Sequence, residues 1–77
     1  MYDDAGVTGN ELLRRLRRLA RRRGVPFRHV AGRGKGSHGR IYFGDRLTTL
    51  QDPRRELPKG TLRGMLDDLG IDFKDLS

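Results

Sequence analysis

VPFRHVAGRGKGSHGRIYFGDRLTTL, residues 25–50, decides the fold. Residues 25–31 alternate as a strand does. Val25, Phe27 and His29 point one way, Arg28 and Val30 the other. Pro26, near the start, argues for an edge position, because proline cannot donate to a ladder. Residues 32–37, GRGKGS, are too glycine-rich for a regular element and read as a flexible turn. Residues 38–43 form a second strand, with Ile41 and Phe43 on one face and His38, Arg40 and Tyr42 on the other. Gly44-Asp45 is a tight reversal, and residues 46–50 are a short third strand.

Helical signals lie on both sides of this block. Thr8-Gly9-Asn10-Glu11 reads as a capping box, in which Thr8 bonds the backbone N–H three residues on and Glu11 reaches back. Leu12, Leu13, Leu16, Leu19 and Ala20 follow on one arc of a helix over residues 9–23. Arg14, Arg17, Arg18 and Arg21 fall opposite, and Gly24 and Pro26 stop the helix. Residues 51–58 are loop, broken by Pro53 and Pro58. A second helix over residues 61–69 carries Leu62, Met65, Leu66 and Leu69 at i, i+3, i+4 and i+7, and Gly70 ends it. Residues 72–76 add a final turn. The order αβββα gives an α+β domain: a three-stranded antiparallel sheet with two helices on one face and the other face open. In the open arrangement His38, Arg40 and Tyr42 meet solvent. Residues 1–7 are expected to be a disordered tail.

Seventy-seven residues, 34% hydrophobic and 35% charged, suffice for one small core. That excludes a Rossmann unit, a barrel, or an enzyme with two domains around a cleft. No apolar run reaches the roughly 18–20 residues of a membrane span. Asp3 and Asp4 and the lack of an apolar core exclude a signal peptide in residues 1–10. Cysteine is absent, so there is no disulfide framework or thiolate chemistry, and a reducing cytoplasm is the expected setting. The net charge is +7, unevenly spread: residues 11–50 carry +10, and the two flanks are slightly acidic. Arginine far outnumbers lysine, which suits phosphate recognition by planar forks. The expected partner is polyanionic: RNA, DNA or an acidic protein surface.

Gly36-Ser37-His38 after an edge strand, followed by Lys59-Gly60-Thr61-Leu62 opening the last helix, resembles the HicA family of toxins. The likeness runs over residues 8–76, through NELLRRLRRL, KGSHGRIYF and ELPKGTLRGMLDDLGID. It implies an αβββα domain of the double-stranded-RNA-binding type that acts as an mRNA interferase in a type II toxin–antitoxin system, neutralised by a HicB-like antitoxin. By resemblance, His38 is the active-site histidine. Two departures stand out. The stretch between Gly24 and Gly36 is a few residues longer than in the family, and Gln51-Asp52-Pro53 stands where the family often has a histidine before the proline.

The residues themselves allow that chemistry. RNA is cut without a metal or cofactor when a base takes the 2′-OH proton and an acid protonates the leaving 5′-oxygen. Imidazole does both near neutrality. Arg33, Lys35 and Arg40 are candidates to hold phosphates, and Gly36 and Ser37 form the turn beside them, with the Ser37 hydroxyl a further donor. Tyr42 can stack a base. Lys59, with the N–H groups of Gly60 and Thr61, forms a helix N-terminus suited to an anion. Each has a plainer alternative: a solvated basic loop, a packed tyrosine, ordinary capping. A His29/His38 acid–base pair is a further option, although strand parity puts His29 on the buried side. Two other function classes fit the same charge: a basic RNA-binding module without chemistry, and an interaction domain for an acidic protein.

Overall fold

A computed structural model describes residues 7–32 and 38–76. It shows α1 (Gly9–Arg23), β1 (Phe27–Val30), β2 (Gly39–Phe43), β3 (Arg46–Leu50), α2 (Lys59–Leu69) and a closing 3-10 turn, Phe73–Leu76. The domain is α+β, with a three-stranded antiparallel sheet and two helices.

Thr8 caps α1, its Oγ1 accepting the Glu11 N–H at 3.1 Å. The reciprocal half of the expected capping box is not made. Glu11 turns outward and pairs with Arg15 at 3.3 Å, one helical turn on. Gly24 ends the helix at φ 69, a left-handed conformation open to glycine, and its N–H bonds the carbonyls of Ala20 and Arg21. The Val25 N–H is also spent on the Ala20 carbonyl, at 3.0 Å. This shortens β1: Val25 belongs to the helix cap and Pro26 has no N–H, so the strand starts at Phe27 and not at Val25. β2 likewise begins at Gly39, one residue after His38. α2 begins two residues earlier than the sequence suggests, because the Pro58 carbonyl already accepts the Leu62 N–H at 2.9 Å.

The strand order is β1-β2-β3. Phe27 lies opposite Phe43 and His29 opposite Ile41; across the hairpin, Ile41 faces Thr48, Gly39 faces Leu50 and Phe43 faces Arg46. The buried sheet residues Ile41, Phe43, Thr48 and Leu50 therefore share one face. They pack with Leu12, Leu16, Leu19 and Ala20 of α1 and with Leu62, Met65, Leu66 and Leu69 of α2. Leu12 and Leu16 are fully buried, each contributing about 1.5–3 kcal/mol. Leu13 is only partly buried. Both helices thus cover the same side of the sheet, and among the described residues the opposite side is open.

The segment after β3 is tied to the start of α1. Gly9 N–H bonds the Arg55 carbonyl at 3.1 Å, Asn10 N–H bonds Pro53 at 2.7 Å, and Leu57 N–H bonds Val7 at 2.8 Å, around a bridge between Thr8 and Glu56. A Cβ on Gly9 would lie 2.6 Å from Pro53 Cα, so the approach requires glycine. Val7 packs against the core, and the structured part of the domain includes this residue, which the sequence reading assigned to the tail.

Candidate functional site

Alternation along β2 decides what the open face shows. Arg40 and Tyr42 point away from the helices, between Arg28 and Val30 of β1 and Leu47 and Thr49 of β3. Arg28, Tyr42 and Leu47 make one row across the sheet, and Val30, Arg40 and Thr49 make the next. Val30 and Leu47 are 39% and 48% exposed, unusual for aliphatic strand residues, and Tyr42 between them is half-buried. The face is apolar along a diagonal and cationic on both sides of it.

His38 precedes β2 and is exposed. Continuing the register one step past the Gly39–Leu50 pair puts His38 opposite Gln51. The two side chains meet there, Gln51 Nε2 lying 3.3 Å from His38 Nε2. Gly39 fixes this corner: a Cβ on it would lie 2.7 Å from the Val30 carbonyl oxygen. The β2 backbone is therefore pressed against β1 immediately after His38.

His38 and Gln51 also line a groove of about 820 Å³ between the end of β3, the loop after it and α2. Its walls include Thr48, Thr61, Met65 and Asp68. Thr48, only 4% exposed, donates its hydroxyl to Asp68 Oδ2 at 2.7 Å, so the buried oxygen is satisfied. At the loop end, Asp52 Oδ1 accepts the Arg54 N–H at 3.0 Å. That bond above all, with the Arg54 guanidinium beside it, holds the Asp52 carboxyl below its usual range against the opposing effect of burial.

The sequence-derived site residues are distributed unevenly. His38, Arg40 and Tyr42 are brought together along β2. Arg33, Lys35, Gly36 and Ser37 lie outside the described residues. Lys59 opens α2 but lines a different hollow, with Leu62, Arg63, Ile71 and Phe73, and not the His38 groove. His29 is half-buried on the helix-covered face opposite Ile41, whereas His38 meets Gln51, so a two-histidine acid–base pair is not formed. Sequence reasoning missed Gln51 as a neighbour of His38. The signal was available: a two-residue reversal at Gly44-Asp45 fixes every cross-strand pair of the hairpin, including this one.

On the far side of the molecule Arg14, Arg17, Arg18, Arg21 and Arg22 of α1 are exposed. Arg17 lies over the Phe27 ring, 5.5 Å from its centroid. Among the described residues no group of three or more His, Asp or Glu is placed to hold a metal ion, and no helix is long and apolar enough to cross a membrane.

No protein family, curated protein or solved structure matches this chain.

Proposed function

We propose that this chain is a metal-independent endoribonuclease, the mRNA-cleaving toxin of a type II toxin–antitoxin system, built on an αβββα domain of the double-stranded-RNA-binding type. It works in the cytoplasm without a cofactor and is held inactive by a HicB-like antitoxin that covers its cationic surface. The observation that carries the reading is the exposed His38 at the head of β2, in line with exposed Arg40 and half-buried Tyr42, on the open face of a chain with net charge +7.

In this reading RNA lies across the open face. Arg40 pairs with a phosphate and Tyr42 carries a base. His38 takes the proton of a ribose 2′-OH. The 2′-oxygen attacks the adjacent phosphorus, the P–O5′ bond breaks, and the imidazolium returns the proton to O5′. The products are a 2′,3′-cyclic phosphate and a free 5′-hydroxyl. Arg40, and by resemblance Arg33, Lys35, Gly36 and Ser37, hold the phosphate while negative charge builds on it. Lys59 serves as a more distant anion contact.

His38→Ala is expected to lower cleavage by at least about 100-fold and to leave the melting temperature nearly unchanged, because the side chain is exposed. If the purified variant cuts as fast as the parent, the assignment is wrong. The same cationic face also suits a binding module without chemistry. End-group analysis separates the two: cyclic phosphate ends that appear with the parent and vanish with His38→Ala favour the enzyme, and salt-sensitive binding with no product favours the module.

A further inference from the structure

Of all the contacts around His38, the one to Gln51 is the most specific. The two nitrogens stand 3.3 Å apart across positions that extend the β2–β3 ladder. Both sides of the pair are held. On the His38 side Gly39 leaves no room for the backbone to shift toward β1. On the Gln51 side the loop is pinned by Arg55 N–H on the Asp52 carbonyl at 3.1 Å and by Asn10 N–H on Pro53 at 2.7 Å. This is a built contact between two exposed polar side chains.

We propose that Gln51 is a positioning residue for His38: it engages Nε2 and so leaves Nδ1 to the RNA. The inference rests on the ribonuclease reading above. A carboxamide has a donor and an acceptor at the same end, and a half-turn about its last bond exchanges them. The amide nitrogen faces Nε2 in this structure; after that half-turn Oε1 stands toward the ring, and Gln51 accepts the Nε2–H. The ring proton then sits on Nε2 and the lone pair on Nδ1, which takes the 2′-OH proton. As the O2′–P bond forms and P–O5′ breaks, the imidazolium keeps its Nε2–H bond to Gln51 and passes the Nδ1 proton to O5′. The ring ends as it began.

A neutral amide suits this cycle better than a carboxylate. It orients the ring through one hydrogen bond without holding it in the charged form. Among the described residues, the charged groups that line the groove with His38 are Asp52, Arg55 and Glu56 on the loop and Asp68 on α2, and Arg40 stands two residues on along the chain. They set a mixed background field. Gln51 is the group at hydrogen-bond distance from the ring nitrogen.

The test compares the full chain with Gln51→Glu and Gln51→Leu. The chain has two histidines, so His29, on the covered face, is an internal reference in ¹⁵N spectra of the imidazoles. Gln51→Glu, a pure acceptor at the same place, is expected to keep the ring proton on Nε2 and to leave the His29 signals unchanged. Gln51→Leu is expected to abolish the preference for the Nε2–H tautomer and to lower kcat about three- to tenfold, the worth of one hydrogen bond, with KM nearly unchanged. The inference is overturned if Gln51→Leu keeps the tautomer of the parent, or if the neutral ring of the parent carries its proton on Nδ1. A parent that cuts no RNA sinks the ribonuclease reading instead, while the ring measurements still decide the His38–Gln51 pairing.

Discussion

Gly39 shows how one missing methyl group places a histidine. Its would-be Cβ meets the Val30 carbonyl at 2.7 Å and the Gly32 nitrogen at 3.2 Å, both backbone atoms that have no rotamer to change. Gly39→Ala is therefore expected to push β1 and β2 apart and to cost about 1–3 kcal/mol, read as a lower urea midpoint. His38 and Gln51 lose their shared register in the same variant, so cleavage falls more than stability alone explains. Thr48 offers a contrasting case. Its hydroxyl is bonded to Asp68 beneath the groove, and Thr48→Val keeps the shape while removing that bond. Asp68 is exposed and water can replace the lost donor, so the expected cost is about 1 kcal/mol, again from the urea midpoint.

At the scale of elements, the C-terminal turn is held by charge. Asp75 accepts the Asp72 N–H at 3.0 Å and pairs with Arg23 of α1 at 3.1 Å, and Arg22 reaches the Asp75 carbonyl. The Asp72 N–H first, and then the Arg23 guanidinium, hold the Asp75 carboxyl below its usual range. A carboxyl with a lower pKa folded than unfolded adds stability above its unfolded pKa, and loses it as the pH falls through the folded one. Asp52 acts in the same sense. Melting temperature is thus expected to hold from neutral to about pH 5 and to drop by about pH 3, less steeply in Asp75→Asn. Both side chains are partly exposed, so the effect is small and shrinks in salt. Elements closed by local signals were legible in the sequence. Thr8 and Gly24 bound α1 through contacts within a few residues, and alternation in β2 assigned Ile41 and Phe43 to the core and Arg40 and Tyr42 to solvent. What was hidden depended on partners distant in sequence or on competition for one donor: the Val25 N–H taken by the helix cap, Glu11 turning to Arg15, the loop sealed to Thr8, and Gln51 facing His38.

For the whole molecule, the short axis of 17 Å allows one layer of helix on one layer of sheet. Among the described residues, no element covers the second sheet face. A single thin core also leaves little reserve. Leu16→Ala, at a fully buried position, is expected to cost about 2–5 kcal/mol, comparable with the whole stability of so small a domain, and circular dichroism will show it largely unfolded at 37 °C. The charge distribution sets a different whole-molecule test. If RNA occupies the open face, Arg28→Ala and Arg40→Ala each lower the slope of log affinity against log salt by about one, whereas Arg18→Ala on α1 leaves it unchanged. Equal losses at all three positions would move the RNA to the arginine side of α1.

The bridge between Thr8 and Glu56 joins two positions far apart in the chain. Contacts of that kind carry a larger loop-closure entropy cost than local ones. The stitch that seats the Gln51 loop is therefore expected to be among the first contacts to loosen under stress. Hydrogen exchange will register this as joint, early deuteration of the Gly9 and Leu57 amides while the amides beyond the first turn of α1 stay protected. If the chain is the ribonuclease proposed above, its activity is expected to fade at a lower temperature than that at which its scaffold melts.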